Sequence, residues 1–211
     1  MVRLVIADDH PVVCEGMKRI MADTQDLQIV GEARTGRELF EIVARQPCDV
    51  VLLELLLPDQ SGLEVLEHLR HRFPKLPVVV FSAQPETHYA VRAFKAGAAG
   101  YLTKRSLPKE LVRAIRKVVR GGGRYVSPLL AERLLAERGE EADRPLHTRL
   151  SNREYSVLCG IAVGKTIKEL AAELSVSPKS IVTYRARTLQ KLHLKTTAEL
   201  IRYALSHQLV D

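Results

Sequence analysis

The chain has 211 residues, of which 27% are charged and 46% hydrophobic, and its formal net charge is +7. This composition is ordinary for a globular protein and leaves room for one or two domains, each with its own core. The apolar runs stay short of the roughly 18 residues that a membrane-spanning helix needs, and the first residues lead into a strand pattern without a signal peptide. We therefore expect a cytoplasmic protein without a membrane partner.

The positive charge is concentrated in the last third of the chain. Residues 1–120 contain 18 Lys and Arg against 15 Asp and Glu, whereas residues 148–211 contain 10 against 5. A basic segment is compatible with a nucleic-acid partner, although a modest positive charge is more often only a solvated surface. Charge alone therefore does not decide between these two interpretations.

Strand-like and helix-like patterns alternate through the first 120 residues. Short apolar runs predict strands near residues 3–7, 27–32, 50–53, 77–81 and 100–103. An amphipathic helical pattern follows each run. Five such units predict an α/β fold with a doubly wound, five-stranded parallel sheet.

Acidic side chains follow two of these strands. Asp8 and Asp9 follow the first strand, and Glu54 ends the third, although on its own the run before Glu54 would also fit a buried helix. The carboxyl ends of parallel strands meet at the edge where open α/β sheets bind ligands. Carboxylates that converge there repel one another unless a hard cation lies among them. The sequence therefore predicts Mg²⁺ bound by Asp8, Asp9 and Glu54.

With these acids the first 120 residues resemble the receiver domain of two-component response regulators, which has a flavodoxin-like fold. In that family an acidic pair after the first strand holds Mg²⁺, and an aspartate that ends the third strand accepts a phosphoryl group. In this chain the phosphoacceptor position holds Glu54. The resemblance also implies that Ser82 bonds a phosphoryl oxygen and that Lys104 pairs with the phosphoryl charge. Tyr101 matches the aromatic switch residue of the family.

The glutamate changes what this receiver is expected to do. Its carboxylate lies about 1.5 Å farther from the backbone than that of an aspartate, against a tolerance of ~0.5 Å for preorganised sites. We therefore expect impaired phosphoryl transfer and a receiver that is phosphorylation-independent or partly constitutively active. The longer side chain is able to reach toward Ser82 and Lys104 and to supply one negative charge where a phosphoryl group supplies nearly two.

Three consecutive glycines, residues 121–123, predict the end of the last receiver helix, because they lose too much chain entropy to stay helical. We interpret residues 1–120 as the receiver domain, 121–147 as a linker with a short helix near 129–137, and 148–211 as a second domain. Capping-box spacings at Ser151, Thr166 and Thr196 predict helix starts in this second domain, which is expected to be small and all-α.

The second domain has the outline of a helix-turn-helix unit. Ser177 precedes a proline at a first helical position, and the short turn before it joins two predicted helices. In such units the second helix enters the major groove of DNA. Three-helix cores with other functions share this outline, so the shape alone leaves the function open.

Residues 150–158, 164–171 and 176–185 resemble the LuxR-type DNA-binding domain. Together with the receiver, the whole chain resembles a NarL/FixJ-class response regulator. The family often has lysine at position 182 and histidine at 184, so Val182 and Tyr184 leave the base preference open, although a thymine methyl would suit Val182. The DNA-binding residues that the resemblance implies are Thr166, Lys179, Ser180, Val182, Thr183, Tyr184, Arg185, Ala186 and Arg187.

These features predict a DNA-binding regulator of transcription and not an enzyme with an external substrate. The implied partners are double-stranded DNA, a sensor histidine kinase, and a second copy of the chain on DNA. Pairing is expected through the last helix, because Leu200, Ile201 and Ala204 cannot all face one small core. The alternative is a receiver that serves as a protein-interaction adaptor, with the second domain used for assembly.

Overall fold

The computed structural model describes residues 1–127, 130–131, 145–174 and 176–210, with the side chain of His88 left out. The chain divides into two compact units, Met1–Ala131 and Glu132–Asp211. The short helix predicted near residues 129–137 lies outside the described residues except at positions 130 and 131, which are helical.

Strands and helices alternate in the first unit, as the sequence predicts. The strands are β1 (Val2–Ala7), β2 (Leu27–Ala33), β3 (Val50–Leu53), β4 (Val78–Ser82) and β5 (Gly100–Thr103). The helices are α1 (Pro11–Ala22), α2 (Gly36–Arg45), α3 (Gly62–Arg72), α4 (Glu86–Ala96) and α5 (Pro108–Gly121). Gly122 ends α5 with a φ of 56°, a left-handed conformation that glycine adopts at little cost.

The described strands form one parallel sheet in the order β2-β1-β3-β4-β5, which confirms the predicted fold class. The order reverses between β1 and β3, which makes their carboxyl ends the switch point of the sheet. Ala7 pairs with Leu53, so the next residues, Asp8 and Glu54, are neighbours at this edge. On the other side, Ser82 pairs with Thr103, which places Lys104 beside the end of β4.

Every residue of β3 is buried, because helices cover both faces of the sheet. On one face the core includes Leu52 of β3 with Leu111 and Ile115 of α5. Fully burying each such side chain contributes roughly 1.5 to 3 kcal/mol. The core therefore fixes the central strand, and with it the backbone of Glu54, whose N–H donates to the carbonyl of Ala7 at 2.9 Å.

The residues directly after α5 are also attached to the first unit, although the sequence assigns them to the linker. The Tyr125 N–H donates to the Ala99 carbonyl at 2.7 Å, and the Tyr125 hydroxyl donates to Glu110 Oε1 at 2.9 Å. Ser127 Oγ donates to Glu86 Oε1 at 2.5 Å. The first unit accordingly reaches Ala131, beyond the predicted boundary at residue 120.

The second unit is helical throughout its described elements. A 3-10 turn, Leu146–Arg149, is followed by α6 (Asn152–Ala162), α7 (Ile167–Glu173), α8 (Pro178–Lys191) and α9 (Thr197–Ser206). All three predicted capping boxes are present, at Ser151, Thr166 and Thr196. Ser177 caps α8 by accepting from the Ser180 N–H.

One expectation about α9 needs correction. Leu200 and Ala204 are both completely buried in the core of the second unit, so they are not available to a partner. Ile201 is half-buried, and the large apolar side chain that α9 exposes is Leu205, at 51%. Leu200 and Ala204, four residues apart, share one face of the helix, and Ile201 and Leu205 share the next. The pattern groups the residues in this way but does not say which pair meets the core.

Gly62, the first residue of α3, packs closely against the backbone of Glu54 and Leu55, and substitutions there test this packing. A Cβ on Gly62 would lie 2.6 Å from Leu55 Cα and closer still to the Glu54 carbonyl oxygen, and backbone atoms cannot move aside. We expect Gly62→Ala to destabilise the receiver by about 1 to 3 kcal/mol through overpacking, as measured by chemical denaturation. Gly16→Ala is the matched control: a Cβ there meets nothing within 4 Å, so this helical position should gain ~0.5 to 1 kcal/mol. Equal effects in the two variants would contradict this packing.

Candidate functional site

The carboxylate of Glu54 lies at the carboxyl end of β3 and is surrounded by donors. Its residue is only 2% exposed. Glu54 Oε1 accepts from the Leu55 N–H at 2.6 Å, from the Leu56 N–H at 3.2 Å, and from Ser82 Oγ. Glu54 Oε2 forms an ion pair with Lys104 Nζ at 2.6 Å and accepts a long hydrogen bond of 3.4 Å from the Ala83 N–H. A buried carboxylate requires such compensation, because desolvation is costly for an unpaired charge.

Lys104 joins the two acidic strand ends. Its ammonium lies 2.7 Å from Asp8 Oδ2 and 2.6 Å from Glu54 Oε2, and its side chain is 15% exposed. Burial alone would lower the pKa of Lys104, but its hydrogen bonds with Asp8 and Glu54 outweigh burial and raise the pKa above its ordinary value. The ammonium is therefore held in its charged form between two carboxylates.

Asp8, Asp9 and His10 form the cluster that is best suited to a metal ion among the described residues. One ligand atom of each lies within 4.8 Å of the others. Asp9 Oδ1 is a buried oxygen that accepts no hydrogen bond from the described residues, and His10 Nδ1 lies 3.0 Å from it. The two carboxylates fit the preference of a hard cation such as Mg²⁺ for oxygen ligands.

Glu54 is not part of this cluster, although the sequence analysis includes it among the metal ligands. Its oxygens are directed to Ser82, Lys104 and backbone N–H groups. His10 is part of the cluster instead. Its ring Nδ1 lies 3.1 Å from Asp8 Oδ1, and its backbone N–H donates to the same oxygen at 3.0 Å. The only feature of the sequence that indicates a role for His10 is its position directly after the acidic pair.

Ser82 and Tyr101 are connected through the backbone of Gln84. Ser82 Oγ donates to Glu54 and accepts from the Gln84 N–H at 3.2 Å. The Tyr101 hydroxyl donates to the Gln84 carbonyl at 2.9 Å, and its ring is buried, which raises the pKa of Tyr101. The ring of Tyr101 is thus turned inward while Ser82 is drawn to Glu54. Gln84 contributes only backbone atoms to these contacts, so its side-chain type gave no signal for it.

Helix α8 carries most of the predicted DNA-binding residues, and the structure divides them by exposure. Ser180, Tyr184 and Arg185 are half-buried. The exposed members recur at three- and four-residue spacing and form one stripe, which we call the α8 stripe: Lys179, Val182, Thr183, Ala186 and Arg187. Ile181 and Thr188 lie on the opposite, buried side. Thr166 lies at the start of α7, where its hydroxyl donates to Glu169 Oε2 at 2.8 Å as part of the capping box.

Comparisons with known proteins agree with both units. Residues 4–116 match the response regulator receiver domain, and residues 148–204 match the luxR family of bacterial regulatory proteins. The chain is 35% identical to the response regulator GacA of Pseudomonas aeruginosa, over 100% of this chain and 99% of GacA. It is 31% identical to the response regulator UvrY of Escherichia coli strain K12, over 100% of this chain and 97% of UvrY.

A solved structure shares the fold. RcsB from Salmonella enterica serovar Typhimurium, bound to the promoter rprA in the presence of the phosphomimetic BeF3⁻, superimposes with a TM-score of 0.66. The match covers 98% of this chain and all of that chain at 23% identity, a level at which we infer the fold only. Within the described residues, no helix has the length and apolar composition required to cross a membrane.

Lys104 is expected to stabilise the receiver strongly. Lys104→Ala leaves Asp8 and Glu54 buried without their shared cation, which should cost about 3 kcal/mol in the free energy of unfolding. Because the pKa of Lys104 is raised on folding, its contribution is present below the ordinary lysine value of about 10.4 and is lost as the pH rises through the folded value. Denaturation curves at pH 7 and pH 9 should therefore show the same loss.

The matched control is Lys109→Ala, an exposed lysine in the first turn of α5. This variant should change the free energy of unfolding by less than about 0.5 kcal/mol, as is usual for surface positions. If the two lysine variants proved equally stable, the ion pairs of Lys104 would not be holding the edge of the sheet.

Proposed function

The chain belongs to the two-component response regulators that combine a receiver domain with a LuxR-type regulatory domain, and we propose that Glu54 holds its receiver in the active arrangement without phosphorylation. In this proposal the chain is a regulator of transcription that binds DNA through its second domain. The observation that carries the proposal is the simultaneous contact of the Glu54 carboxylate with Ser82 Oγ and Lys104 Nζ.

The longer side chain brings a negative charge to the donors that would otherwise meet a phosphoryl group. Ser82, Lys104 and the Ala83 N–H all contact the Glu54 carboxylate directly. Ser82 bound in this way accompanies a buried Tyr101, which is the arrangement expected of an occupied site. A carboxylate carries one charge where a phosphoryl group carries nearly two, so we expect partial and not maximal activation.

The same contacts oppose phosphorylation. An acceptor oxygen must approach phosphorus in line with the leaving group, and it needs an exposed lone pair to do so. Both oxygens of Glu54 already accept from several donors within a site that is 2% exposed. Phosphorylation would require Glu54 to leave Lys104, which would break an ion pair in a partly buried site.

Asp8 and Asp9 are the residues that would hold Mg²⁺, with His10 beside them. When bound, this cation would supply positive charge next to an incoming phosphoryl group. Glu54 would have to give up Lys104 to become a third ligand, so we assign the metal site to the two aspartates. Lys104 already balances the charge on Asp8, which weakens the electrostatic requirement for a cation in this chain.

The α8 stripe provides the proposed contact with DNA. Lys179 and Arg187 lie about 12 Å apart along the helix axis and are placed to pair with phosphates at both ends of the stripe. Val182, Thr183 and Ala186 lie between them, where the helix would face base edges in the major groove. The family resemblance assigns a further phosphate contact to Thr166, at the start of α7, and the proposal includes it.

The remaining partners follow from the family. A sensor histidine kinase is the proposed partner of the receiver, and a second copy of the chain is the proposed partner on DNA. A receiver that serves only as a protein-interaction adaptor would not bind duplex DNA, so no salt dependence of binding would be measurable. The proposed regulator should instead make about four to eight phosphate contacts per dimer and lose affinity steeply as salt rises.

Glu54 variants test the proposed function. The wild-type chain should bind its DNA without a phosphodonor, and Glu54→Gln should weaken that binding by roughly 5- to 150-fold, because Lys104 loses one of its two charged partners. Glu54→Asp should restore the acceptor geometry. Given Mg²⁺ and acetyl phosphate, it should gain about 80 Da, the mass of one phosphoryl group, and its DNA binding should become dependent on the phosphodonor.

Glu41→Gln serves as the control, since Glu41 is an exposed residue of α2 whose nearest ion pair, with Arg45, is 4.0 Å long. It should leave duplex affinity within a factor of two of wild type. The idea fails if wild type and Glu54→Asp take up phosphate at the same rate, or if Glu54→Gln binds DNA as tightly as wild type.

Pairing through α9 is tested with Leu205, its large exposed apolar side chain. Two α8 helices related by a twofold axis imply a DNA site that is an inverted repeat, with half-sites ~10 bp apart. Leu205→Asp should weaken binding to this two-half-site duplex by at least about 10-fold and leave the affinity for a single half-site unchanged. Val163→Asp adds the same charge to another exposed position of the same unit and should spare the two-half-site affinity. A footprint of only one half-site at saturation would contradict pairing.

A further inference from the structure

We propose that α8 recognises thymine through its 5-methyl group, with Val182 as the residue that determines this specificity. The inference rests on the proposed binding of DNA by α8 and adds which base chemistry the helix selects. It concerns the middle of the α8 stripe, the part that would face base edges between the two flanking cations.

Val182 is a large apolar side chain that the fold leaves 43% exposed. The core of the second unit does not need it, because Ile181 and Thr188 already fill the inner side of α8. Removing apolar surface from water contributes about 25 cal/mol per Å². A partner that covers Val182 with an apolar group therefore gains free energy, and a polar partner does not.

The residues beside Val182 offer methyl groups and few donors. Ala186 has only a methyl group, and the hydroxyl proton of Thr183 is donated to the Lys179 carbonyl at 3.0 Å. Thr183 therefore presents a methyl group and an acceptor oxygen. Among the described residues of α8, the middle of the stripe has no side-chain donor directed outward to pair with the N7 or O6 acceptors of purines.

In the major groove each base pair presents a different set of groups. Guanine and adenine present acceptors or donors that arginine, lysine, asparagine and glutamine read, whereas thymine presents a methyl group beside its O4 acceptor. A surface of three methyl-bearing side chains matches the thymine methyl and leaves purine acceptors unpaired. Lys179 and Arg187 are eight residues apart, which suits phosphates at both ends of the stripe.

Arg185 is the neighbouring residue with a competing chemistry. It is half-buried, and its Nε is a buried atom that makes no hydrogen bond with the described residues. If the Arg185 side chain moved outward in the complex, it would favour guanine, and a thymine contact would contribute less to the base preference. The experiment must therefore separate loss of a methyl group from loss of a hydrogen bond.

Uracil makes that separation, because it differs from thymine only by the missing 5-methyl group. The full-length chain is first used to select its binding site from a random duplex pool. Each thymine of the selected site is then replaced singly by deoxyuridine, and affinities are measured at fixed salt. We expect at least one position per half-site where uracil weakens binding by about 3- to 10-fold, the range for one lost methyl contact.

Val182→Ala identifies the residue responsible. This variant should bind the thymine site more weakly than wild type and should no longer distinguish thymine from uracil at that position. Val163→Ala is the matched control, since Val163 is 55% exposed and lies outside α8. It should retain the full preference for thymine.

If no uracil substitution changes the affinity by more than twofold while duplex binding persists, the thymine proposal is overturned and the DNA-binding function stands. If Val182→Ala keeps the wild-type ratio of thymine to uracil affinity, Val182 is not the reader. If the pool yields no bound duplex, the proposed function and the thymine proposal fall together.

Discussion

The ammonium of Lys104, shared between Asp8 and Glu54, is the interaction on which the receiver site depends. Two carboxylates at the ends of adjacent parallel strands are both nearly fully buried, and burying an unpaired carboxylate is costly. Lys104 reaches both at less than 3 Å. The Glu54 carboxylate that pairs with Lys104 also accepts from Ser82 Oγ and from the Ala83 N–H. Lys104 and the residues after β4 thus meet at the same Glu54 carboxylate.

The same arrangement links the acidic edge to Ser82 and Tyr101. Ser82, bound to Glu54, also accepts from the Gln84 N–H, and the Gln84 carbonyl accepts from the buried Tyr101. These hydrogen bonds connect Ser82 with Tyr101, so a change in the position of one is expected to affect the other. A phosphoryl group would act on the same donors from a shorter aspartate. In our proposal the glutamate replaces a reversible modification with a permanent, weaker charge.

The elements that could be predicted from the sequence are those whose residue pattern has a single physical explanation. Buried apolar runs that end in Asp8 and Glu54 predicted the sheet and the edge at which these two carboxylates meet, and the Ser151 and Thr196 capping boxes predicted helix starts that the structure confirms. It could not find contacts made by backbone atoms, such as those of Gln84. It did not place Tyr125 on the receiver either, because a single tyrosine in a glycine-rich segment carries no periodic signal. Which residues of α9 are buried depended on tertiary packing that its composition does not encode.

The central claim is that Glu54 holds Ser82 and Tyr101 as a phosphoryl group would. Amide NMR spectra of the receiver test it most directly, with wild type compared with Glu54→Asp before and after addition of Mg²⁺ and the phosphomimetic BeF3⁻. We expect the Ala83, Gln84 and Tyr101 amide signals of untreated wild type to lie close to those of BeF3⁻-bound Glu54→Asp. Addition of BeF3⁻ should leave the wild-type spectrum unchanged. Wild-type shifts that match untreated Glu54→Asp, or that move on addition of BeF3⁻, would contradict it.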